Sequence, residues 1–183
     1  MRNNMEKIII FGSQYGTTKR YAVELSNRTG IKVISCEEVK DLSNYDTIIY
    51  LGGLYTGGVW GLSKTIKLLP RNGKQVFIIV TVGLADTTDN INTNSIKSSI
   101  CKQISEDIYA KAKIVHLRGG IDYKKLSLKH KTMMKLLYSK AKKLPPEKQT
   151  AEIKAMINTY NQKVDFVNFD SLDSIIEILR YVD

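Results

Sequence analysis

Cysteine, histidine, tryptophan and proline are scarce in this 183-residue chain, which holds two, two, one and three of them. Cys36 and Cys101 lie far apart, with no further thiol or histidine at ligand spacing. That excludes a disulfide framework and a zinc site and leaves two reduced, structural thiols. His116 falls in an apolar run and His130 in a run of lysines, and neither has a Ser, Cys or acid at triad spacing. They read as a structural and a surface residue, and no hydrolytic or metal chemistry is expected. No apolar run approaches the roughly 20 residues that span a bilayer. The opening MRNNMEK lacks the apolar core of a signal peptide, so the chain is expected in the cytoplasm. Two phosphate signatures are missing as well. Only three residues separate Gly12 from Gly16 and Thr17 follows, which fails G-x-x-x-x-G-K-[ST], and G-x-G-x-x-G does not occur there.

What is present suits one soluble domain with a proper core: 43% apolar and 25% charged residues. KIIIF (7–11), KVIS (32–35), TIIYL (47–51), QVFIIVTV (75–82) and KIVHL (113–117) are continuous β-branched runs. Strands covered on both faces, as in a parallel sheet, have that pattern. Helical periodicity falls between them: Ala22 and Leu25 before Gly30, then Leu62, Ile66 and Leu69 before Pro70. A single stripe of Ile96, Ile100, Ile104 and Ile108 follows, and Leu172, Ile175, Ile176 and Leu179 close the chain. Regular alternation of strand and helix gives a doubly wound α/β domain over residues 1–183, with ligands at the C-terminal ends of the strands.

The passage SQYGTT (13–18) joins the first strand to the first helix with small and hydroxyl residues. Backbone N–H groups there, with the Ser13, Thr17 and Thr18 hydroxyls, form a nest for a terminal phosphate that needs no cationic side chain. An N-cap alone would use the same residue types. After the third strand comes GGLYTGGVWG (52–61), whose glycines admit a planar ligand and whose Tyr55 and Trp60 offer stacking surface or simply cover the sheet edge. After the fourth comes VGLADTTD (82–89), without an aromatic residue.

SQYGTT after strand one, in this order with the two later loops, resembles the phosphate loop of flavodoxins, T/S-x-T-G-x-T, with Tyr15 in place of the middle hydroxyl. The resemblance implies an α/β flavodoxin-like fold, five parallel strands in order 2-1-3-4-5, and flavin mononucleotide (FMN) as cofactor. It implies cofactor contacts from Ser13, Gln14, Tyr15, Gly16, Thr17 and Thr18, from Leu54, Tyr55, Thr56, Gly57, Gly58 and Trp60, and from Val82, Gly83, Leu84, Ala85 and Asp86. One of Tyr55 and Trp60 is expected to stack on the ring. With no aromatic in the third loop, the other ring face is either open to a substrate or covered by a later segment.

That later segment is an insertion at 121–163, with eleven lysines, no arginine and three acids, so it holds +8 of the net +10. Two helical patterns occupy it, one with Met133, Met134, Leu137 and Ala141, the other with Ile153, Met156, Ile157 and Tyr160. With Arg118-Gly119 before it, Tyr123 shortly after them ahead of the basic helix, and VDFVNF after it, the arrangement resembles the branch containing menaquinone-dependent protoporphyrinogen IX dehydrogenases. This implies a flavin-linked dehydrogenase with a quinone or other redox partner and a porphyrin substrate. The other readings are an electron-transfer module with no substrate of its own and a scaffold that has lost flavin. The basic helix is expected to meet anionic lipid at the inner membrane face, to steer an acidic partner, or to be a solvated face. Nucleic acid is not expected, because arginine and a recognised module are both absent. In this reading the insertion serves substrate or membrane, and the flavin contacts come from the earlier loops.

Overall fold

The computed structural model describes residues 6–55, 58–70 and 75–182. In chain order the elements are β1 (Lys7–Gly12), α1 (Thr17–Thr29), β2 (Lys32–Ser35), β3 (Thr47–Tyr55), β4 (Gly58–Val59), α2 (Leu62–Ile66), β5 (Val76–Gly83) and α3 (Asn90–Cys101). They continue with α4 (Glu106–Lys111), β6 (Lys113–Arg118), β7 (Gly120–Asp122), α5 (Leu128–Ala141), α6 (Ala151–Thr159), β8 (Lys163–Asp165) and α7 (Asp173–Arg180).

The main sheet runs β2-β1-β3-β5-β6 with every neighbour parallel, which is the 2-1-3-4-5 order expected for the five long strands. Ile8, Ile10, Ile48, Tyr50, Phe77 and Ile79 pack on one face against Leu62, Ile96 and Ile100. Ile9, Ile49, Leu51, Ile78 and Val80 pack on the other against Tyr21, Ala22 and Leu25 of α1 and Ile175 and Leu179 of α7. Both faces are buried, which is why the strands read as unbroken apolar runs.

Three details differ from the sequence reading. The stripe Ile96 to Ile108 is two helices, not one. The chain turns after Cys101, with the Gln103 and Ile104 N–H groups both donating to the Ile100 carbonyl. This turn lets the Gln103 side chain reach Val59, accepting from its N–H at 2.7 Å and donating to its carbonyl at 3.2 Å. Second, β4 adds a short antiparallel strand to the end of β3, and β7 and β8 form a separate antiparallel pair. Third, Cys36 is buried as a structural thiol but Cys101 is exposed at the end of α3.

The chain after β4 folds back across the sheet end. The Trp60 N–H donates to the Gly53 carbonyl at 2.9 Å, and the Trp60 carbonyl accepts from the Tyr50 hydroxyl. Gly12 lies directly beneath: a Cβ there would run into the Trp60 carbonyl and lie 2.7 Å from the Tyr50 oxygen. Only glycine permits this approach.

Candidate functional site

The loop from Ser13 to Gly16 turns the chain from β1 into α1 on one left-handed residue, Gly16 at φ 92°. The Gly16 N–H donates to Ser13 Oγ at 3.1 Å, which closes the turn. Among the described residues no acceptor in the chain takes the N–H groups of Gln14, Tyr15, Thr17 or Thr18. Four unpartnered donors lie at or just before the positive end of a 13-residue helix, a donor set that fits a phosphate dianion. Thr17 Oγ1 donates to the Gly120 carbonyl across 3.4 Å, a long bond that is readily exchanged for a better acceptor.

This loop borders a cavity of about 870 Å³, toward the upper end of the roughly 300–1,000 Å³ typical of small-molecule sites. One flank is Leu54, Tyr55 and Trp60, and another is Val82, Gly83, Leu84 and Ala85. Tyr55 and Trp60 meet edge to face at 5.4 Å and brace each other. The β5 flank is held from β6. Arg118 donates to the Leu84 carbonyl at 3.2 Å with its guanidinium 4.0 Å over Phe166, and the Gly119 N–H donates to the Gly83 carbonyl at 2.6 Å. Arg118 and Gly119 thus fix the loop that follows the neighbouring strand.

The insertion lines a further side. Met133, Met134 and Leu137 of α5 and Ile153 and Met156 of α6 line the same cavity as the phosphate loop. His130 Nδ1 is hydrogen-bonded to the Tyr15 hydroxyl, which also accepts from the Ser127 N–H at 3.3 Å. The His130 ring packs edge to face on Tyr15 at 5.6 Å and on Tyr55 at 5.2 Å. The expectation that His130 is a surface residue of the lysine run is corrected. It sits where the two loops and the insertion meet, and the insertion is a wall of the cavity rather than an addition outside it.

Of the residues assigned from sequence, Ser13 through Thr18, Leu54, Tyr55, Trp60 and Val82 through Ala85 share this cavity. Thr56 and Gly57 lie outside the described residues. Gly58 does not line the cavity and abuts the Gln103 amide, 2.8 Å from where a Cβ would be. Asp86 is also absent from the wall. Its carboxylate accepts from the Thr88 N–H and hydroxyl, both at 2.9 Å, and these bonds hold its pKa below the usual carboxylate value. The residues that sequence reasoning missed include His130, His116 and Asn92. The i, i+3/i+4, i+7 stripe of His130, Met133, Met134 and Leu137 carried a signal for the first.

Solved structures that resemble the chain include a Bacteroides uniformis ATCC 8492 protein described as a flavoprotein, at 10% identity, 62% of this chain, 88% of that one and TM-score 0.44. A flavodoxin from the domain Archaea matches at 15% identity over 62% of this chain and 83% of that one, TM-score 0.42. The C101A mutant of a Pseudomonas aeruginosa flavodoxin matches at 15% identity over 74% and 95%, TM-score 0.39. No match was found among curated proteins. The flavodoxin domain family matches residues 8–148, a span from β1 through α5 that takes in the phosphate loop, both flanking loops and the first insertion helix. Most of the chain is covered by that match, and the chain belongs to the flavodoxin domain family.

Proposed function

We propose that the chain is an FMN-dependent oxidoreductase whose insertion roofs the cofactor cavity and provides the place where a small molecule meets the flavin. The single cavity lined by both the phosphate loop and the apolar faces of α5 and α6 carries this reading. A carrier that exchanges electrons only with proteins has no need of an apolar roof over its cofactor.

In this proposal the N–H groups of Gln14, Tyr15, Thr17 and Thr18 hold the FMN phosphate, with the Thr17 hydroxyl turning to it from Gly120. Leu54, Tyr55 and Trp60 on one side and Gly83, Leu84 and Ala85 on the other bracket the ring. Bound there, FMN supplies one- and two-electron exchange. Met133, Met134 and Leu137 exclude water from the roofed side, and the Arg118 contact with Leu84 keeps the β5 loop in place. A quinone-linked dehydrogenase similar to the protoporphyrinogen IX enzymes is the finer form of the proposal. A peripheral contact with anionic lipid goes with it: Leu128 and Leu136 are 83% and 60% exposed among the lysines of α5. No described helix is long and apolar enough to cross a membrane. A second reading, electron transfer without a small-molecule substrate, draws on Tyr15 and Trp60, which stand partly exposed at the rim.

The test is to titrate the protein with FMN and riboflavin, then assay reduction of the bound flavin by protoporphyrinogen with a quinone acceptor. Tighter binding of FMN, lost in Thr17→Ala and Thr18→Ala by about 0.5–3 kcal/mol while riboflavin is unaffected, supports the cofactor assignment. Equal affinities defeat it. Turnover that fails when lysines 124–143 are replaced by Gln, with flavin retained, supports the dehydrogenase. Absence of turnover in the wild type favours the electron-transfer reading.

A further inference from the structure

Residues from both faces of the sheet line the cavity. Its phosphate loop leads into α1, which covers the face carrying Ile9, Ile49 and Ile78. Thr81 and His116, register partners on β5 and β6, follow Ile79 and Ile114 by two residues and so lie on the opposite face, the one that α3 covers through Ile96 and Ile100. Both line the cavity, with Asn92 and Ile96 of α3 and with Ile153 and Met156 of α6, and α6 packs against α3.

The polar groups on this side are almost all spoken for. His116 Nδ1 and Thr81 Oγ1 are 2.7 Å apart, and Asn92 Nδ2 donates to the Asp86 carbonyl at 2.8 Å. His116 Nε2, in contrast, is buried and has no partner among the described residues. A buried polar atom without a partner calls for a specific explanation. The lining cations, Arg20, Lys125 and Lys163, lie on α1, before α5 and on β8, and Arg20 is ion-paired with Asp165 of β8 at 2.8 Å. The charged group contributed by α6 is Glu152, which disfavours an anion. Burial, and the positive charge of Lys97, hold the His116 pKa below the ordinary histidine value, so the imidazole is neutral. Met156 adapts its unbranched side chain to varied shapes.

We infer that this lobe is a second ligand subsite, beyond the flavin, for a neutral, apolar small molecule bearing one hydrogen-bonding oxygen, with His116 as its polar anchor. Thr81 fixes the ring orientation, and Ile96, Ile153 and Met156 provide the apolar walls. The inference rests on the proposed cofactor site and names the class of molecule that would share the cavity with it.

The experiment uses 2-naphthol as a neutral probe, with naphthalene and naphthalene-2-sulfonate as controls, titrated calorimetrically into FMN-loaded protein. The expected order is 2-naphthol tightest, naphthalene weaker and the sulfonate not detectable. His116→Phe keeps the ring but removes the nitrogen, and should weaken 2-naphthol by about tenfold, to the level of naphthalene. Ile153→Trp fills the lobe from α6 without touching the sheet and should abolish binding of both. FMN affinity should stay unchanged in His116→Phe. Absence of 2-naphthol binding, equal binding by wild type and His116→Phe, or loss of FMN affinity in His116→Phe overturns the inference, the last by giving the lobe to the cofactor. Should FMN itself fail to bind the wild type, the cofactor reading falls separately, and the same titrations on the flavin-free protein still decide the lobe.

Discussion

The Tyr15 hydroxyl of the phosphate loop is hydrogen-bonded to Nδ1 of His130, a residue 115 positions later on the insertion helix. With the Ser127 N–H donating to the same hydroxyl, one phenol ties the start of α5 to the loop between β1 and α1. Tyr15→Phe removes both bonds and keeps the ring packing. The loss of about 0.5–1.5 kcal/mol per neutral bond should speed the release of FMN and riboflavin alike, by several-fold, since this hydroxyl serves the roof and not the phosphate. Stopped-flow fluorescence of flavin release reads it. An effect confined to FMN would place Tyr15 on the phosphate instead.

Gly16 sits at φ 92° with no atom within 4 Å of a Cβ built on it. Gly16→Ala therefore meets no clash, only the left-handed backbone cost of about 1–2 kcal/mol for an L side chain. Urea unfolding of the flavin-free protein should show that loss. The FMN titration should weaken in parallel, because the turn that gathers the N–H groups is what has been strained.

Gln103 imitates a neighbouring strand by engaging both the N–H and the carbonyl of Val59. Val59 is 1% exposed, so Gln103→Leu leaves its backbone groups without partners in a dry place. A destabilisation of about 1–3 kcal/mol is expected, with faster hydrogen exchange at the Val59 amide as its local signature. Stability without change in that amide would mean that β3 alone holds β4.

His116 sets a pH dependence. Its folded-state pKa is depressed, by burial first and by Lys97 second, so the unfolded chain takes up a proton before the folded one does. Its contribution to stability is complete above the ordinary histidine value of about 6.5 and is lost as pH falls from there through the lower folded value. The denaturation midpoint of the flavin-free protein should fall on acidification below about pH 6.5. His116→Gln should flatten that part of the profile.

The parallel sheet was legible because its central strands β1, β3 and β5 are buried on both faces, and a run such as Ile8, Ile9, Ile10 has no other economical reading in a chain without membrane-length segments. The tight turn from β1 into α1 at Ser13–Gly16 was legible because its residue types and its place between strand and helix are local. The break before α4 was not. Ile104 and Ile108 continue the helical period, and what interrupts it is the hold of Gln103 on a backbone 44 residues away. For His130 only the stripe it shares with Met133, Met134 and Leu137 was legible, and its bond to Tyr15 was hidden for the same reason, since Tyr15 meets it only in space. Asp86 misled in the other direction. It has the right position for the third loop, but its carboxylate closes its own turn through Thr88.

The antiparallel pair β7 and β8 brings Gly120 opposite Asp165 and Asp122 opposite Lys163. Everything from 123 to 162 therefore hangs from a two-stranded stem, topologically one long hairpin loop. Because lengthening a loop costs little once its ends are already joined, such a stem tolerates appendages of very different size. The core keeps its strand order whatever hangs there. Replacing residues 123–162 with a two-residue turn should leave a smaller protein that still folds and still presents the nest, stripped of its roof. The stem makes the wall on that side of the cavity a cassette that can be exchanged without rebuilding the sheet.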